Sequence, residues 1–265
     1  MFNFNFVLLF LLFFSHLSAS GEIERNPYVD PAIWEQVSPY FLPADSSVKK
    51  KLDAIFSSSR ALFNLQSLKD AGFTKIIHRP CSHAYVMTHP KLKGYVIKLF
   101  TDQQQFVDWE AWVHRIHGAQ CIRNAIKRHG YQHHFKVPKK WIYPLPAEPS
   151  PPPDSQRKNF ILVAKEMKLL EKRDNRAMWK SPVMSPDRIK AMYTIIKEEG
   201  LADSINVTNL PFLKDGRQAF IDTEWHHRWP VEYNKLTRRF SRPMRQYWMG
   251  LVANTNPKAK PYIPL

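Results

Sequence analysis

Asn209-Leu-Pro-Phe-Leu-Lys-Asp-Gly-Arg-Gln-Ala-Phe-Ile-Asp222-Thr-Glu224 reads as a buried β-hairpin with an amide at its start and a carboxylate at its end. Lys214-Asp215-Gly216-Arg217 is the turn, with Asp-Gly as the hairpin signal. Ala219-Phe220-Ile221 is the returning apolar strand. Folding back carries Asn209 and Asp222 to the same end. Their oxygens suit a hard cation such as Mg²⁺. The same residues also describe an ordinary hairpin with a surface Asn and a capping Asp, so the rest of the chain must decide.

The chain has 265 residues, 44% hydrophobic and 13% aromatic, enough for one domain of two lobes or for two small domains. Its net charge of +16 points to anionic partners, namely phosphate-bearing ligands, nucleic acid or an anionic membrane, or else to a solubilising surface. Phe6 to Phe14 is an apolar run too short to span a bilayer, and Ser18-Ala19-Ser20 supplies small residues where a signal peptidase reads. Residues 1–20 are therefore expected to be a signal peptide cleaved near Ser20, although their start lacks Lys and Arg. No later run resembles a transmembrane helix, so an exported protein, secreted or periplasmic or lumenal, is expected. Cys81 and Cys121 lack CxxC spacing and have no accompanying metal cluster; a disulfide and two buried thiols both remain open. His133-His134 and His226-His227 are adjacent pairs, whose side chains point apart on a helix or strand, and they read as surface or interface histidines.

Residues 22–45, Pro-rich and aromatic, suggest an arm packed on the domain. Asp45-Ser46-Ser47 can cap a helix to about Ser59, with Val48, Leu52, Ile55 and Phe56 on one face. Leu65 to Ala71 is a second helix, stopped by Gly72. Phe73 to His78, Ala84 to Thr88 and Gly94 to Phe100 suggest an antiparallel meander. Thr101-Asp102 is expected to cap a long helix with Phe106, Trp109, Val113 and Ile116 as its apolar stripe. Lys139 to Pro144 and Phe160 to Met167 are two more strands joined by a Pro-rich connection. Ser185-Pro186-Asp187 starts a helix that Gly200 ends. A helix around Val231 to Phe240 and an extended, basic C-terminal tail complete the reading.

Gly94-Tyr95-Val96-Ile97-Lys98-Leu99-Phe100 places one lysine inside an apolar strand. If buried, Lys98 needs an anionic partner; on an edge strand it would snorkel to water. The succession of a meander ending in Lys98, an acidic helix, two strands, a helix and an Asn…Asp hairpin resembles the protein-kinase-like fold. Val96-Ile97-Lys98 is similar to the end of the Val-Ala-Ile-Lys motif, whose lysine contacts ATP phosphates and pairs with a helix glutamate. The resemblance implies an α+β, two-lobed structure: an antiparallel N-lobe sheet over 73–170, preceded by the arm and helices of 21–72, and a small, truncated helical C-lobe over 171–265. It implies that Glu110, or less well Asp108, pairs with Lys98, and that the Glu166 to Leu169 hinge receives adenine. It implies that Asn209 and Asp222, aided by Glu224, hold Mg²⁺ across the phosphates of ATP.

The chain departs from that pattern. Arg79-Pro80-Cys81-Ser82-His83 stands where a glycine-rich loop is expected, so Arg79 or His83 would have to contact phosphate. Asp-Phe-Gly becomes Asp222-Thr223-Glu224. His-Arg-Asp is missing; Asp203, six residues before Asn209, stands as the base for the acceptor hydroxyl or as a loop residue without chemistry. Asn206-Val207-Thr208 is a glycosylation sequon beside the implied site. Three functions follow: an exported kinase-like phosphotransferase acting on an unknown protein or small-molecule acceptor, a pseudokinase that binds without transfer, and a basic polyanion-binding protein using Arg123 to Lys140 and Arg238 to Arg245, with Phe240 and Tyr247 among the charges. The kinase-like readings require Lys98, Asn209 and Asp222 to converge on one cleft.

Overall fold

The computed structural model describes residues 23–77 and 83–253. The expected leader, Arg79, Cys81 and the last dozen residues lie outside the described residues. The protein is α+β. Its centre is a five-stranded antiparallel sheet in the order β1-β2-β3-β6-β5, where β1 is Thr74–Ile77, β2 Tyr85–Thr88, β3 Tyr95–Leu99, β5 Lys140–Pro144 and β6 Phe160–Lys165. The expected meander is present, and the last two strands pair along their whole length, from Lys140 opposite Ala164 to Pro144 opposite Phe160. β6 lies between β3 and β5, which explains its unbroken apolar run.

Alternation along the strands divides the core. Ile97, Leu99, Ile161 and Val163 face one side, where α2 (Ser47–Phe56) and α3 (Leu65–Asp70) supply Leu52, Phe56 and Leu68. Phe160 and Leu162 face the other, against Trp112, Val113 and Ile116 of α4 (Asp108–Arg128) and Val37 of α1 (Pro31–Val37). The expected caps hold at α2 and α3: Ser46 Oγ accepts from Lys49 N, and Gly72 takes φ +90° just beyond α3. The N-terminal arm packs as expected, with Leu42 N donating to Ile142 O on β5.

α4 begins six residues later than its expected cap. Asp102 is consumed elsewhere: its buried carboxylate accepts from Arg60 Nε and Nη2 at 2.8 and 2.7 Å and from Lys158 N at 2.8 Å. The helix instead starts at Asp108, whose carboxylate accepts from the backbone N–H groups of Asn159 and Phe160 at 2.7 and 2.8 Å. Burial raises its pKa, against those bonds. Trp112 Nε1 adds a bond to Phe160 O. The start of α4 is thereby pinned to the start of β6, and the helix face buried below is Trp112, Arg115, Ala119, Ile122 and Ile126.

The second half of α4 enters a helical core with α6 (Pro186–Glu199), the hairpin residues Phe212 and Phe220, and the C-terminal helices. α6 follows its expected limits: Ser185 Oγ accepts from Arg188 N, and Gly200 is left-handed. α5 (Lys172–Met178) precedes it. The short strands β4 (Phe135–Lys136) and β7 (Gln218–Ala219) pair in parallel beside it. The helix expected over 231–240 shrinks to α7 (Asn234–Thr237), and Arg242–Ala253 forms α8 where a basic tail was expected. Met244, Tyr247, Trp248, Leu251 and Val252 recur at helical spacing and pack on the core, and Trp248 is fully buried against Tyr193, Tyr233 and Phe240. Phe240 is itself core, not an interleaved surface ring.

Asp102→Ala removes the anion beneath Arg60 and Lys158 N. We expect a loss of about 3–5 kcal/mol in stability by urea unfolding.

Candidate functional site

Period-two alternation decides where Lys98 points. Ile97 and Leu99 enter the core, so Val96 and Lys98 face the opposite side beside Val86 and Ala164 on the flanking strands. β3 is an interior strand, so Lys98 has no edge from which to snorkel. Its Nζ donates to Asp222 Oδ1 at 3.2 Å, the anionic partner that its burial requires.

Asp222 arrives on the hairpin read from the sequence. Gly216 N donates to Leu213 O, Leu213 N to Arg217 O, Ala219 N to Pro211 O, and Ile221 N to Asn209 O. The last bond sets Asn209 and Asp222 side by side at the open end. A cleft of about 180 Å³ is lined by Val86, Val96 and Ala164 from the sheet, by Ala84 just before β2, by Met167 and Leu169 after β6, and by Lys98, Arg115, Thr208, Asn209, Ile221 and Asp222. Lys98, Asn209 and Asp222 thus converge as required. The cleft is small beside common ligand sites of roughly 300–1,000 Å³. It suits a heterocycle-sized body on its apolar strand residues with charged groups at one side.

The residue that governs the electrostatics is Arg115 of α4. Its two terminal nitrogens donate separately to Asp222 Oδ1 and to Glu224 Oε2. The guanidinium fork therefore bridges both carboxylates assigned to a metal. Beneath it, Thr223 Oγ1 donates to Arg115 O at 2.5 Å and accepts from Lys140 Nζ at 2.6 Å. Burial alone would raise the Asp222 carboxyl, but Lys98, Arg115 and Lys140 hold it well below the ordinary range. Burial lowers both lysines; Lys140, next to Lys98, falls well below its usual value.

The other residues singled out in the sequence lie as follows. Glu110 is exposed on α4 and does not meet Lys98; a basic residue, Arg115, takes the helix's place in the cluster. Asp108 is committed to the β6 backbone. Glu166 is exposed, with only its N–H fixed to Gly94 O, while Met167 and Leu169 of the same segment line the cleft. Glu224 is held by Arg115. The ring of His83 packs against Phe106, with centroids 4.6 Å apart. Asp203 opens a 3-10 turn, Asp203–Ile205, and its side chain lies outside the described atoms. Asn206 is exposed, and its Oδ1 accepts from Thr208 N and Oγ1.

The basic stretch from Arg123 to Lys140 is partly ion-paired at the surface, and Lys127 and Lys139 stay exposed. Arg128 and His129 meet Glu198, Lys136 meets Asp215, and Lys140 is buried. Arg238, Arg239, Arg242 and Arg245 remain exposed. Among the described residues no helix is long and apolar enough to cross a membrane.

Gly118 lets this cluster close. A Cβ there would lie 2.0 Å from Thr223 O and 2.9 Å from His226 Nδ1, so the chain after Asp222 rests directly on the α4 backbone. Comparison with family models, with curated proteins and with solved structures finds no match.

Alanine normally gains about 1 kcal/mol over glycine inside a helix. Gly118→Ala should nonetheless destabilise the protein by about 1–3 kcal/mol through overpacking. Gly250→Ala in α8, where a Cβ meets nothing within 4 Å, should stabilise it by up to about 1 kcal/mol. Denaturant midpoints of the two variants should therefore move in opposite directions.

Proposed function

We propose that the cleft is a kinase-like nucleotide-binding site in which Lys98 and Arg115 meet the phosphates and the apolar strand residues meet the base. The observation that carries this reading is the convergence of Lys98, Asn209 and Asp222 on one cleft. The order of elements supports it: a meander carrying Lys98, a long helix, a strand pair folded back so that β6 lies beside β3, a helix, and the hairpin. Lys98 has three donor protons and spends one on Asp222, which leaves donors for a phosphate oxygen.

The arrangement favours binding over phosphate transfer. Mg²⁺ does not fit the donor set as it stands, because Arg115 already occupies Asp222 and Glu224 and Lys98 adds a second cation. A divalent ion would have to expel a nearly buried guanidinium from both carboxylates. Arg115 supplies, as part of the chain, positive charge where the resemblance implies a metal. The protein then holds a nucleoside phosphate by its own cations, and the pseudokinase-like reading is the stronger of the two. The likeness does not depend on whether residues 1–20 are a cleaved leader.

A nucleoside di- or triphosphate should raise the melting temperature of the purified protein, and Lys98→Ala should weaken the apparent affinity by at least about tenfold, the cost of roughly one charge-assisted hydrogen bond. Asp222 keeps Arg115 in that variant, so the fold should persist. A wild-type protein with no nucleotide-dependent shift, or a Lys98→Ala protein with an undiminished one, overturns the proposal.

A further inference from the structure

Apart from the residues that line the cleft, α4 presents His117 and Cys121 one turn apart on the same face. His226 is brought against that face by the close approach of the chain at Gly118. One ligand atom from each of His117, Cys121 and His226 lies within 4.8 Å of the other two. Cys121 also meets the same criterion with Glu199, at the end of α6, and His227. We propose that His117, Cys121 and His226 form a binding site for zinc or a similar borderline first-row metal ion, with Glu199 or His227 completing the coordination.

The donor chemistry selects the metal class. Two imidazoles and a thiol suit Zn²⁺ and disfavour Mg²⁺ or Ca²⁺, which take oxygen ligands. Tetrahedral zinc with bonds of roughly 2.0–2.3 Å holds its donors roughly 3.3–3.8 Å apart, so the three atoms, within 4.8 Å of one another, would draw together on binding. The donors are available as well as near. His117 Nδ1 is buried without a hydrogen-bond partner among the described residues, although buried polar atoms normally have one. His226 Nδ1 lies 3.2 Å from Glu224 O, which can only accept, so Nδ1 carries the hydrogen and Nε2 is the lone-pair donor of the neutral ring. Metal binding expels the Cys121 proton to solvent as the sulfur–metal bond forms, and affinity should rise with pH.

Backbone geometry supplies the remaining piece. Adjacent side chains diverge on a helix or strand, but His227 is left-handed at φ 52°, and the His226 and His227 rings lie 4.8 Å apart. A non-glycine residue in that region is uncommon and clusters at functional sites. His227 N is fixed to Glu199 O at 2.7 Å, and its Nε2 lies 3.4 Å from Glu199 Oε2. A metal here would tie α4, α6 and the chain that follows Asp222 together. The proposal does not rest on the nucleotide reading.

Co²⁺ titration of the purified, metal-stripped full chain tests it. The expected result is saturation near about one equivalent, with a thiolate-to-cobalt charge-transfer band that Zn²⁺ abolishes. The band should persist in Cys81→Ser and vanish in Cys121→Ser. His226→Gln should bind at least about tenfold more weakly. If Cys121→Ser fails to fold, the wild-type chain still decides: Zn²⁺ should protect Cys121 from alkylation, read by peptide mass spectrometry. No charge-transfer band in the wild type, loss of the band in Cys81→Ser instead, or equal alkylation of Cys121 with and without Zn²⁺ overturns the proposal.

Discussion

Arg115 holds Asp222 with one guanidinium nitrogen and Glu224 with the other. The two carboxylates belong to the strand end that leaves the hairpin, and the guanidinium belongs to the middle of α4, so this single fork joins the two halves of the core. It also decides what the cleft can attract. Two acidic groups that would otherwise call for a metal are already neutralised, and Lys98 on the sheet completes the balance from the other side. The cost of burying these charges is offset because each is both paired and hydrogen-bonded, and removing one partner would leave another uncompensated.

The approach of the two halves depends on what surrounds the fork. Asp108 and Trp112 anchor the first turns of α4 to β6, which sets the rotation of the helix and brings Arg115 inward. Gly118, one turn on, admits the backbone of Thr223. Lys140 from β5 and Thr223 fill the space beneath. The same close approach at Gly118 brings His226 to His117 and Cys121.

Much of this was legible in the residues. The hairpin followed from Asp215-Gly216 between apolar runs, the meander and the strand pair from β-branched stretches, and α2 and α6 from their serine caps. The need of Lys98 for an anion also followed from its neighbours, and Asp222 answers it. The long helix was harder. Asp102 has the residue type of a cap, but Arg60, distant in sequence, claims it. Assigning Glu110 as the lysine's partner rested on likeness alone and fails because the helix turns that residue to solvent. Arg115 left a signal in its position between Trp112 and Ala119 on the buried stripe, since a cation there must find anions. His117 and Cys121 left theirs in i, i+4 spacing. That His226 and His227 face the same way depends on a left-handed residue that spacing does not disclose.

The most direct test of the central claim is calorimetric titration of a nucleoside triphosphate into the wild-type protein and into Arg115→Gln, with Mg²⁺ and with chelator. Arg115 acting as the built-in cation predicts equal wild-type affinity in both buffers, and weaker, Mg²⁺-dependent binding once Gln frees Asp222 and Glu224. Wild-type binding that requires Mg²⁺, or an Arg115→Gln protein indistinguishable from wild type in both buffers, would contradict it.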